Sequence, residues 1–117
     1  TPLQALTLLN DQAYVEMALG FAVSILERTQ GKSDQDRVSH AVRRALSRDP
    51  SAREIEVLLS LLNEQSERLK SDSSIAKSLL SQAPQIEISD KLEKEEVGAW
   101  FFVANALLNL DETITKG

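Results

Sequence analysis

A chain of 117 residues, 42% of them hydrophobic, is long enough to bury one modest core and too apolar to be a disordered tail. Its formal charge is −5, with six basic and six acidic side chains in residues 1–50 and seven and twelve in 51–117, so duplex nucleic acid is excluded as an expected partner. The absence of cysteine rules out a disulfide, a thiolate zinc site or a covalent haem link within the segment.

The chain opens on Thr1-Pro2-Leu3-Gln4, which reads as a helix start: a Thr cap, then Pro at the first helical position, where its missing N–H costs nothing. This first helix is expected to reach about Leu9, with Asn10 as its stop and Asp11 as the cap of the next. The second helix carries Val15, Ala18, Leu19, Ala22, Ile25 and Leu26 at spacings of three and four, and should stop near Gly31. Ser33-Asp34-Gln35-Asp36 opens the third, whose buried stripe is Val38, Ala41, Val42, Ala45 and Leu46. Asp49-Pro50 should break it, because the residue before proline is driven away from helical angles.

Ser51-Ala52-Arg53-Glu54 is a capping box for a fourth helix to about Lys70, with Ile55, Leu58, Leu59, Leu62 and Leu69 inward. A short fifth helix, Ser74 to Gln82, turns Ile75, Leu79 and Leu80 inward. Residues 84–88, PQIEI, alternate like a strand but lack a pairing partner, so they are expected to lie extended across the bundle. Ser89 or Asp90 is the expected cap of the sixth helix, which begins charged and becomes apolar almost all round, apart from Gly98 and Asn105. Such a helix belongs in the middle of a bundle, with a neighbouring backbone close to Gly98 and bonded to the Asn105 amide. Asn109 stops it and Asp111 follows, as Asn10 and Asp11 do near the start. The apolar run from Val97 to Leu108 is too short to span a bilayer. The reading is thus all-α: one compact bundle of about six helices over residues 1–117.

Few residues offer chemistry. His40, the sole histidine, shares a helix face with Arg37, Arg44 and Arg48. That row is either an anion site, for a phosphate or a sulfated or carboxylated sugar, or a solvated cationic face paired with the acids that open the sixth helix. Glu93, Glu95 and Glu96 sit at a helix start, where acids favour the dipole, and Asn109, Asp111 and Glu112 lack the loop of a calcium site. Trp100, Phe101 and Phe102 are core rather than a sugar platform. No nucleophile elbow, phosphate-cradling loop or zinc-protease motif is present, so no catalytic, cofactor or metal residue is assigned.

Three stretches, TPLQALTLLND at the start, LSRDPSARE at 46–54 and AWFFVANALLNLDETITKG at the end, resemble in that order the C-terminal domain of unknown function of exported planctomycete cytochrome-c-like proteins. The family's middle motif, Leu-x-Arg-x-Pro-Ser/Thr-x-x-Glu, is matched by Leu46, Arg48, Pro50, Ser51 and Glu54. The shared residues Asn10, Asp11, Arg48, Pro50, Glu54, Asn109, Asp111 and Glu112 read as structural: Glu54 completes a cap, Arg48 reaches the last carbonyls of its own helix, and the asparagines end helices. Many members have Pro where this chain has Gln12, and its loss allows a helix continuous through Asn10.

The resemblance implies an extracytoplasmic location, haem c elsewhere in the parent polypeptide, and a possible link to polysaccharide breakdown. It also implies that this chain is the C-terminal part of a larger domain, and the absence of Met or a signal peptide at Thr1 agrees with a cut from a longer protein. The expected role is a non-catalytic scaffold that packs on upstream domains of the same polypeptide and self-associates when they are missing. The alternative is a cationic face, Arg37, His40, Arg44 and Arg48, contributed to an active site in the full-length protein.

Overall fold

The computed structural model of the chain describes residues 12–110. Its elements are five helices: α1 (Gln12–Arg28), α2 (Asp34–Leu46), α3 (Ala52–Ser71), α4 (Ser73–Ser81) and α5 (Lys94–Asn109). Among the described residues there is no strand. The helix expected over Thr1–Leu9, and the stop and cap at Asn10 and Asp11, lie outside them, as do Asp111 and Glu112.

Each helix is present because its apolar residues recur at helical spacing and find a common interior. Along α1 this face is Tyr14, Val15, Ala18, Leu19, Ala22, Val23, Ile25 and Leu26, all buried. Val38, Ala41 and Val42 do the same on α2, and Leu58, Leu62 and Leu69 on α3. The helix α5 touches the other four, most extensively α3 and α1. It is not buried all round, however. Val97 to Phe101, Val103, Ala104 and Leu107 are enclosed, whereas Phe102, Asn105 and Leu108 form a half-buried edge. Trp100, at 1% exposure, is the largest fully buried side chain.

The helix ends show which local signals acted. Ser33 caps α2 by accepting from the Asp36 N–H at 3.2 Å. At Ser51 both halves of the capping box form: its hydroxyl accepts from the Glu54 N–H at 3.1 Å, and its own N–H donates to the Glu54 carboxylate at 2.8 Å. The end of α2 differs from expectation. Ser47 takes the left-handed conformation, with φ 58°, and its N–H donates to the Arg43 carbonyl, so the helix closes two residues before Asp49-Pro50. Asp72 ends α3 and caps α4, accepting from the Ser74 N–H at 3.1 Å.

Three further expectations are corrected. The segment 84–88 does not lie fully extended: Pro84 opens a turn closed by the Ile86 N–H on the Ala83 carbonyl at 3.1 Å, and Ile86 and Ile88 tuck against the core. Ser89 caps a turn, its carbonyl accepting from the Leu92 N–H, and α5 begins only after Glu93, which makes no side-chain cap. The helix α5 ends at Asn109 as expected, but not by a left-handed turn. Its side-chain amide donates back to the Asn105 carbonyl at 2.8 Å, and Leu110 follows with right-handed angles.

Around Gly98 the close neighbours are side chains, not the expected backbone. A Cβ there would lie 3.1 Å from Leu69 Cδ1 and 3.8 Å from Ala76 Cβ. The Asn105 Oδ1 is buried without a hydrogen-bond partner, so the expected amide bond to a neighbouring backbone is not made through that atom.

Candidate functional site

The row Arg37, His40, Arg44 and Arg48 is spread over four different environments. Arg37 is largely covered, its side chain 15% exposed between Asp34 at 3.8 Å and Glu96 at 3.7 Å. Its Nε donates to the Thr29 carbonyl at 3.3 Å, which ties α2 to the end of α1. Arg44 donates to the Ser24 hydroxyl at 2.8 Å and lies over the Phe21 ring, 5.1 Å from its centroid. Arg48 forms a two-pronged pair with Glu54 at 2.8 and 2.7 Å and donates to the Asp49 carbonyl. The Glu54 carboxyl is held down to about 2, first by the Arg48 guanidinium and then by the Ser51 N–H.

His40 instead faces a different set of cations. It shares an open cavity of about 380 Å³ with Arg28 at the end of α1, Lys32 in the following turn, and Asp36, Ser39 and Arg43 on its own helix. Its Nε2 is buried without a hydrogen-bond partner. Burial, followed by the charges of Arg44, Arg28 and Arg43, pushes the imidazole below its ordinary value, so it favours the neutral form. Sequence reasoning passed over Arg28, Lys32 and Arg43. The signal was available on α2, because Asp36, Ser39, His40 and Arg43 follow the spacing of one helical face.

Two other depressions flank α5. One, of about 300 Å³, is bordered by Asp34, Glu67, Lys70, Glu93, Glu95 and Glu96, with Trp100 in its wall. Among the described residues no group of three or more carboxylates or histidines is arranged to hold a metal ion. The other, about 370 Å³, is a groove between α4 and α5 formed by Ile75, Leu79 and Phe102 with Ser74, Ser78 and Gln82. Arg68 lies over the Phe102 ring at 5.6 Å. The side-chain amide of Gln12, at the start of α1, donates to the Gln82 carbonyl on the rim of this groove. No described helix is long and apolar enough to cross a membrane.

These features define a small all-helical domain whose described residues form a cationic pocket, an acidic cleft and an apolar groove. Residues 1–62, more than half of the chain, match the family described as PSD1, protein of unknown function (DUF1553), and the chain belongs to that family. No curated protein and no solved structure matches it.

Proposed function

We propose that this is a non-catalytic interaction domain whose α4–α5 groove receives upstream domains of a longer, exported, haem-bearing polypeptide. The observation that carries the reading is the groove itself: Ile75, Leu79 and Phe102 form an apolar floor between hydroxyl and amide side chains, a surface composition suited to protein contact. The occupant, upstream domains of the same polypeptide, rests on the sequence resemblance. The Gln12 side chain, at the start of α1, is anchored to the Gln82 carbonyl on the groove's rim. The export and haem context rests on the sequence resemblance. The alternative role, a catalytic anion face, is less well supported, because Arg37, Arg44 and Arg48 already serve Glu96, Ser24 and Glu54.

Without its occupant the groove is free to recruit a second copy. Sedimentation velocity over a dilution series is expected to show reversible self-association of the 117-residue chain, and Ile75→Lys, a change at a half-buried position on the groove, to return it to a monomer. A wild-type chain that stays monomeric throughout the series contradicts the reading.

A further inference from the structure

We propose that the corner between α1 and α2 is a binding site for a small tetrahedral oxyanion, a phosphate or sulfate group carried by a ligand. This goes beyond the docking role and is independent of it.

The corner carries positive charge that is only partly paired. Arg28, Lys32 and Arg43 border one cavity with a single acid, Asp36, so the pocket carries a net charge of +2 when His40 is neutral. Among the described residues neither Arg28 nor Lys32 makes an ion pair. Arg43 pairs with Asp49 at 2.7 Å, but both side chains are more than half exposed, and such pairs exchange readily with water or a competing anion. The carbonyl that would otherwise draw these cations is occupied: Thr29 O accepts from the Lys32 N–H at 3.1 Å and from Arg37 Nε. Two cations without an ion pair, Arg28 and Lys32, border an open cavity beside Arg43, whose only acid is an exposed and exchangeable one, and this arrangement favours a multivalent anion, with the arginine forks suited to its oxygens.

His40 supplies the second line of argument and the probe. Its ring stands in the cavity wall with Nε2 buried and unbonded, within the fields of Arg44, Arg28 and Arg43. Burial first, and then the positive field, work against a proton on the imidazole. An anion seated among Arg28, Lys32 and Arg43 offsets that field, so binding and protonation of His40 favour one another. Asp36, the one acid of the wall, acts in the same direction as the ligand.

As the only histidine, His40 gives a single set of imidazole resonances. The experiment follows them by NMR across pH, in sodium sulfate and in sodium chloride at equal ionic strength, and then in inorganic phosphate. The expected result is a saturable shift in sulfate or phosphate, absent in chloride, with the His40 midpoint raised toward the ordinary histidine value. The double variant Arg28→Gln, Arg43→Gln should weaken saturation by tenfold or more. Lys32→Gln, in an exposed turn, provides the same test should the double variant fail to fold. If sulfate and phosphate both move His40 no more than chloride does, or the folded variants saturate as the wild type does, the site is overturned.

Discussion

At Glu54 a single carboxylate closes two structures at once. It accepts the Ser51 N–H at 2.8 Å, completing the cap of α3, and it takes both prongs of Arg48, joining α3 to the end of α2. The family-like spacing from Arg48 to Glu54 is thus the geometry of a corner. Because the folded carboxyl sits at about 2 against an ordinary 4.5, its contribution is complete above the upper value and is lost as pH falls through the lower. The Glu54 side chain is 27% exposed, and water screening reduces that contribution to about 1 kcal/mol. Urea unfolding of wild type and Glu54→Gln should therefore differ most near neutrality and converge as pH approaches 2. A gap that persists unchanged in acid would mean that the carboxylate charge is not what matters. Beside it, Ser47 holds a left-handed φ of 58° that glycine adopts freely. Ser47→Gly should stabilise by about 0.5 kcal/mol, measured by the same unfolding.

At the scale of the helices, two glycines predict opposite outcomes. Gly20 lies within α1, and an added Cβ would meet only Ile86 Cδ1 at 3.8 Å, an ordinary contact. Gly20→Ala should raise stability by about 0.5–1 kcal/mol through the lower entropy of the unfolded chain. Gly98 in α5 has Leu69 Cδ1 at 3.1 Å, and Leu69 is itself fully buried. There the same helix preference is opposed by overpacking, and Gly98→Val should cost about 1–3 kcal/mol. Thermal melts of both variants against wild type separate the two effects. If Gly98→Val is neutral, the contact between α5 and α3 is looser than described.

The same scale shows why some elements could be read in advance. Helices α2 and α3 each have a Ser with a helical apolar stripe behind it, so cap and period agree. The start of α5 had the cap chemistry without the helix. Ser89 satisfies a turn, because a hydroxyl near free backbone N–H groups serves either structure equally well. Asn109 misled in a related way: Asn tolerates the left-handed stop, but its amide found the Asn105 carbonyl first. The site was less legible than the fold. Arg37 and Arg43 lie on the same short helix as His40, yet one is drawn to Glu96 on α5 and the other opens on the cavity with Arg28 of α1. Only the packing of distant helices decides which stripe of a charged helix meets solvent and which meets an acid.

Taken whole, the molecule is an all-helical domain of one continuous core, in which α5 touches every other described helix. Its arginine row serves mainly to join elements, through Thr29, Ser24 and Glu54. Among the described residues, the apolar groove between α4 and α5 and the cationic corner between α1 and α2 are open to a partner. The central claim, that the groove is where this domain docks, is tested most directly by amide hydrogen exchange of the 117-residue chain at low and high concentration. Docking at the groove gives protection that rises with concentration in α4 and around Phe102, and not in α1–α2. Exchange independent of concentration, or protection rising only away from the groove, would contradict it.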